Sequence, residues 1–308
     1  MAAAFSSQFR LSITKALRDQ LAEELKKLTP APLTRANLVK LHQQAVEEKL
    51  TSRSGVYQLY QQIPGESEQK LVYVGKADQP LPSRLGNHLK KISGRRDISI
   101  DEIYFKCLYV AEDFSAVSPE KLLIKLYKQD GQIPWNANGF GNKDPGRNRD
   151  RTVLKANHFD VLYPIDLDRS ITGLSTAERP LGEVLKELKD AAPFNFRFQD
   201  RAAIYKTTLV SWPCSTLTVD EALRFLAPHL PADWQIVAFM GYVIMYRDKR
   251  VEYPSGFRYY RGSEVLDHAP ELKAPGKVAE DGAEEDEEAN QLDEDSDPAA
   301  LGLDTEVA

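Results

Sequence analysis

Cysteine is scarce in this chain: 308 residues hold two, Cys107 and Cys214, far apart and without metal-ligand spacing. That excludes a disulfide framework and a thiolate metal site, and both are read as ordinary buried thiols in a reducing cytoplasm. Long apolar runs are also missing. No window approaches the roughly 20 residues of a membrane helix, and the N-terminal stretch has no charged segment leading into an apolar one. The expectation is a soluble, unexported, cytoplasmic protein. Hydrophobic residues still make up 42% of the chain, enough for sizeable cores and, at this length, two domains.

The net charge of −6 is unevenly divided. Residues 271–308 contain 14 Asp or Glu against two Lys, a charge of −12, which leaves +6 on residues 1–270. The basic part has the sign expected for a nucleic-acid partner. The acidic end, with its EDGAEEDEE run and few large apolar residues, is expected to be disordered. It reads as a solubilising tail or as a DNA mimic that competes for a basic groove.

The densest pattern lies in residues 71–89, LVYVGKADQPLPSRLGNHL. Residues 71–74 read as a buried strand that stops at Gly75, where a missing Cβ permits a turn or a close approach. After a loop with Pro80 and Pro82 the period changes. Leu85, Leu89 and Ile92 recur at helical spacing, while Arg84, His88 and Lys91 form another stripe. Arg84 is a fixed cation suited to a phosphodiester and His88 titrates near neutrality, so the pair suits anion binding beside proton transfer. A solvated basic face is the alternative.

Residues 54–60 form a second strand, starting near Gly55 and carrying Tyr57; the polar GESEQK turn joins it to the first as a hairpin. Residues 101–110 are a third strand. Beyond a turn with Asp113 and Ser115, Ser118-Pro119-Glu120 starts a helix, with Ser118 as N-cap and Pro119 in the first position. Leu123, Ile124 and Tyr127 continue its buried face. Glu120 falls in the first turn, where the helix dipole favours negative charge.

These residues, in this order, resemble the GIY-YIG nuclease superfamily. Gly55-Val56-Tyr57 matches its first signature and Tyr73-Val74-Gly75, followed by Lys76, its second. Arg84 and His88 match the family's arginine and histidine, Glu120 its glutamate, and Asn136, in IPWN, its asparagine. Within the superfamily the chain is most similar to the Type II restriction endonucleases that cut CCGCGG. The shared stretches are YVGKA (73–77), PWN (134–136), GFGNKDPGRNR (139–149) and FDVLYP (159–164). The likeness spans residues 55–164. The loop after Lys76 is short for that group, and residues after about 170 have no counterpart in it.

The resemblance implies a Mg²⁺-dependent DNA endonuclease, with Mn²⁺ as the alternative ion and Glu120 as the single metal ligand. A hard oxygen ligand with phosphate and water completing the shell suits Mg²⁺. Arg84 would hold the non-bridging oxygens. Tyr57 would orient or deprotonate the attacking water, helped by a cation or by His88, since a free phenol titrates near pH 10. Tyr73 and Lys76 would complete the polar wall, and Asn136 would bridge Glu120 or the backbone near it. Read without the resemblance, Glu120 is a dipole-complementing carboxylate, and a core tyrosine is the alternative for Tyr73.

Residues 139–155 carry Lys143, Arg147, Arg149, Arg151 and Lys155 against Asp144 and Asp150. Such a loop suits phosphate tracking, with one or two arginines reading guanine in the major groove; a solvated basic loop is the alternative.

Residues 1–50 read as two helices separated by Pro30 and Pro32, for packing or dimerisation. The pattern restarts near Ser170. Leu181, Val184, Leu185 and Leu188 mark a helix, residues 194–198 and 207–212 are strands, and Thr218-Val219-Asp220-Glu221 opens another helix. Residues 234–239 and 242–246 form a hairpin turning at Met240-Gly241. This αββαββ order faintly resembles, in spacing only, the short N-terminal domains of secretins and TonB-dependent receptors. The mixed aromatic and basic residues 256–261 suit nucleic-acid contact or a strand packed on the module.

The expected architecture is therefore α+β. It comprises an N-terminal helical segment (1–50), a GIY-YIG nuclease domain with a small antiparallel sheet flanked by helices (51–170), a small α+β module (171–265) and an acidic tail (266–308). The expected partner is double-stranded DNA, cut by a homodimer whose two-fold symmetry matches a palindrome. A DNA methyltransferase would be its genetic partner in restriction of foreign DNA. The alternatives are a relaxed-specificity defence or mobile-element nuclease and a non-catalytic DNA-binding module.

Overall fold

The computed structural model describes residues 13–50, 53–110, 119–129, 133–141, 146–199 and 201–274. Asp113, Ser115, Ser118, Lys143, Asp144 and the acidic tail beyond residue 274 lie outside them. The chain is α+β, and its contacts divide it into two units. One lies within Met1–Leu85 and Asp101–Ala137, the other within Gly86–Ile100 and Asn138–Ala308.

The first unit is built on a four-stranded antiparallel sheet, in the order β1 (Ala31–Pro32), β4 (Ile103–Tyr109), β2 (Gly55–Gln62) and β3 (Gln69–Ala77). Helices α1 (Ile13–Lys27) and α2 (Arg35–Glu47) flank β1 in sequence, and Thr34 caps α2 by accepting from the Asn37 N–H. These helices share a unit with the sheet. Leu21, Ala22 and Leu25 of α1 pack with Val56, Val74, Ile133 and Leu123, the last from α4 (Pro119–Gln129). A fully buried leucine such as Leu123 contributes about 1.5–3 kcal/mol.

The opposite sheet face carries Tyr57, Leu59 and Tyr73, since side chains alternate along each strand. Helix α3 (Leu81–Ile92) begins over it: a Cβ on Gly55 would meet Leu81 at 3.0 Å and the Leu108 carbonyl oxygen at 2.0 Å. Gly55 is thus fixed by packing. The contact division falls within α3, between Leu85 and Gly86.

The second unit centres on a five-stranded sheet in the order Glu264–Asp267, Gly256–Arg261, Trp234–Phe239, Tyr242–Arg247 and Asn195–Phe198; only the last pair is parallel. Strand Trp234–Phe239 is buried throughout, because both sheet faces are covered. On one, Ile236, Ala238 and Val243 meet Leu185 and Leu188 of helix Leu181–Ala191 and Leu223 of helix Val219–Leu226. The latter begins with a complete capping box, Thr218 and Glu221. The other face is aromatic: Phe239, Tyr242, Tyr246, Tyr253 and Tyr259.

Three expectations are corrected. The boundary near Ser170 does not divide the contacts: Asp150 bonds Tyr242 of the five-stranded sheet, and the Leu154–Lys155 strand pairs with Leu272–Lys273 in a separate two-stranded sheet of the same unit. The strand expected at 207–212 reduces to Leu209–Val210, paired with Arg179–Pro180 away from the main sheet. Trp212 draws this segment toward helix Leu181–Ala191 by donating to Glu187 at 2.7 Å. Residues 256–261 form the strand packed on the module, the second of the two readings, with Arg258 and Tyr260 both bound to Asp220. Cys214 is exposed, its thiol donating to the Thr216 carbonyl, whereas Cys107 is half-buried. Among the described residues no helix is long and apolar enough to cross a membrane.

Candidate active site

Tyr57 on β2 and Gly75 on β3 are register partners, and the absent Gly75 side chain leaves room for the phenol. A Cβ there would lie 2.3 Å from the Tyr57 ring and hydroxyl and 2.7 Å from Tyr73. The two tyrosine rings have centroids 6.0 Å apart. The Tyr57 hydroxyl accepts from Arg84 Nε at 3.2 Å, and Arg84 also hydrogen-bonds Tyr73. Three side chains from β2, β3 and α3 therefore form one polar cluster in an otherwise buried setting.

Glu120, in the first turn of α4, joins this cluster by accepting from the Lys76 backbone N–H. Burial raises its carboxyl above the usual range; Arg84 opposes the shift, while the neighbouring Asp78 carboxylate adds to it. Lys76 Nζ stands 3.0 Å from Asp78. The motif reading passed over Asp78, although its position two residues past Lys76 places it at the end of the same strand.

Burial also holds the Tyr57 phenol well above pH 10, with Tyr73 adding to the shift and Arg84 failing to reverse it. Tyr57 is therefore a neutral hydroxyl at physiological pH. It can orient a water through hydrogen bonding, but it is no ready base.

Asn136, in the helical turn Pro134–Ala137, clasps β3 rather than Glu120. Its Oδ1 accepts from the Val74 N–H at 2.9 Å and its Nδ2 donates to the Val74 carbonyl at 2.7 Å. β3 is an edge strand, so this amide satisfies groups that no further strand reaches. Val74 lies between Tyr73 and Gly75, which gives Asn136 a positioning role.

His88 falls in the second unit, where its imidazole is buried and stacks on Phe140 with centroids 4.8 Å apart. Lys91, on the same stretch of helix, donates to the Phe140 carbonyl at 2.5 Å. The expected neighbourhood of Arg84 and His88 thus separates into two sets of contacts.

The expected DNA-binding arginines also separate. Arg149 is engaged in an ion pair with buried Asp160 at 2.5 Å. Asp160 also pairs with Arg95 at 2.9 Å. Burial opposes the charge of Asp160, but Arg95, Lys91 and Arg149 outweigh it and hold the carboxyl well below its usual range. Arg147 stacks over the Tyr246 ring at 4.7 Å, and Arg151 is exposed. The neighbouring Asp150 is buried and bonds Arg197 and the Tyr242 hydroxyl. This acid–base lattice, missed in the sequence, has no periodic signature.

A single half-buried carboxylate, with Asp78 nearby and a cation-lined wall, fits in kind the oxygen donors that a hard divalent ion takes. Among the described residues, no three His, Cys, Asp or Glu side chains group into a metal site. Compared with known proteins, the chain matches no family model and no curated protein sequence.

Proposed function

We propose that this protein is a metal-dependent GIY-YIG endonuclease that hydrolyses phosphodiester bonds in double-stranded DNA. The observation that carries this reading is the meeting of Tyr57, Tyr73, Arg84 and Glu120, from four separate elements, against Gly75. A packing explanation accounts for two tyrosine rings side by side. It does not account for an arginine and a carboxylate drawn into the same half-buried place, where each loses hydration.

In this reading Arg84 binds the non-bridging phosphate oxygens, and Tyr57, as a neutral hydroxyl, orients the attacking water. A phenolate would form only if the Arg84 charge overcame the effect of burial. Glu120, with Asp78 beside it, would hold Mg²⁺ or Mn²⁺, which when bound neutralises charge on the scissile phosphate and the leaving 3′ oxygen. Lys76 adds positive charge at the rim. The likeness to CCGCGG-cutting enzymes supports restriction of foreign DNA at a palindrome by a homodimer, with a DNA methyltransferase as genetic partner.

One observation favours a second purpose. Arg149 is engaged internally and Arg147 is stacked on Tyr246, so fewer loop arginines face the bases than the motif implies. That suits a defence or mobile-element nuclease of relaxed specificity.

The test is cleavage of unmethylated phage and plasmid DNA with Mg²⁺ or Mn²⁺, wild type beside Glu120→Ala, with the ends sequenced. Discrete fragments absent from the variant support site-specific restriction. A smear absent from the variant supports relaxed specificity. DNA bound but uncut under every metal would overturn the catalytic reading and leave a binding module.

A further inference from the structure

The strands Leu154–Lys155 and Leu272–Lys273 pair in parallel, and their register sets Lys155 beside Lys273. Both lysines are exposed, and neither side chain makes an ion pair among the described residues. Like charges directly opposite one another weaken a strand pair. Arg151, exposed and earlier in the same segment, adds a third cation. Of the nearby acids, Asp150 is engaged by Arg197 and Tyr242 and Asp160 by Arg95 and Arg149, while exposed Glu271, two residues before Lys273, offsets one of the three charges and leaves the edge basic.

The sequence continues from this edge into its most acidic part. Lys273 is followed by Ala274, and the next 34 residues hold 13 Asp or Glu against one Lys. Eleven of those acids fall in residues 280–297. Six residues of extended chain span about 20 Å, ample to return to an edge from which the segment itself departs. A covalently joined segment meets that edge at an effective concentration on the order of millimolar.

We propose that the acidic segment 280–297 docks on the Arg151–Lys155–Lys273 edge of its own chain and holds it against other polyanions. Charge complementarity and the point of chain departure select this occupant. The docking stands independently of catalysis; its consequence, competition with DNA phosphates, rests on the DNA-cleaving reading. The segment would then set a threshold that weak, non-specific DNA contacts fail to cross.

The test uses the full chain with p-benzoylphenylalanine replacing Asn290, followed by irradiation and mapping of the crosslinked peptides. At about 50 mM salt, crosslinks are expected on residues 151–156 and 270–274. Their yield should fall about tenfold or more at about 500 mM salt, where screening is short-ranged, and in Lys155→Glu/Lys273→Glu. Crosslinks landing elsewhere, or a yield unmoved by charge reversal, overturn the docking.

A second full-length variant carries amides for the acids of 280–297. It is expected to bind duplex DNA about tenfold tighter at low salt, with the gain vanishing at high salt. If the crosslinks map as expected while duplex affinity is unmoved, the competition is overturned and the docking stands. If duplex DNA is not bound by either form, the DNA-cleaving reading fails on its own.

Discussion

The Tyr57 hydroxyl lies 2.3 Å from the position a Cβ on Gly75 would occupy. Gly75 is therefore an empty space that the phenol fills on its way to Arg84, and its role here is packing. Gly75→Ala is expected to cost about 1–3 kcal/mol by overpacking and to remove the Tyr57–Arg84 hydrogen bond. Denaturant unfolding of Gly75→Ala, alone and combined with Tyr57→Ala, checks this. The alanine should cost much less once the ring is gone, and equal costs in both backgrounds would refute the packing account.

Asn136 fixes the backbone between Tyr73 and Gly75 from outside the sheet. Asn136→Asp keeps an acceptor for the Val74 N–H but loses the donor to its carbonyl; Asn136→Ala loses both. With about 1 kcal/mol for each neutral hydrogen bond, the alanine variant is expected to be the less stable and the faster in amide exchange at Val74. Cleavage should fall in the same order, through kcat, because Tyr73 and Gly75 drift together.

What the sequence made legible is uneven, for physical reasons. The hairpin of β2 and β3, the start of α4 at Pro119 and the Thr218 helix start follow local rules of alternation, turn chemistry and capping, so they could be read from neighbouring residues. The cluster of Tyr57, Tyr73, Arg84 and Glu120 was legible only through motif order. The domain boundary was not, because it depends on pairings such as Asp150 with Tyr242, 92 residues apart, which leave no local trace. Arg149 and Arg151 look alike in the sequence, yet only one faces a buried carboxylate.

That difference separates their expected effects. Arg149→Ala leaves Asp160 short of a partner in a buried place and is expected to cost about 3–5 kcal/mol. Arg151→Ala touches no such pair and should change stability by no more than about 0.5 kcal/mol. Under the DNA reading it should instead weaken duplex binding and lower the salt slope by about one. Thermal unfolding and salt-dependent binding of the two variants check the assignment; a stable Arg149→Ala would show that the ion pair is dispensable.

His158 supplies a pH dependence that can be isolated. Its Nδ1 accepts from the Asp160 N–H at 3.1 Å, so in this tautomer the proton sits on Nε2, against Gly139. Burial pushes its pKa down to about 4 from an ordinary 6.5; Asp160 opposes the shift, and Arg149, Lys91 and Arg95 reinforce it. The unfolded chain therefore takes up this proton at a higher pH than the fold does. The stability that follows is fully present above pH 6.5 and is lost as pH falls toward 4, at up to about 1.4 kcal/mol per pH unit and about 3 kcal/mol in all. His158→Asn keeps an N-cap acceptor and removes the titration. Between pH 6.5 and 4 the variant's stability should be flatter than wild type, even if its smaller side chain lowers stability at every pH. Parallel wild-type and variant profiles through that window would place the acid sensitivity in other groups.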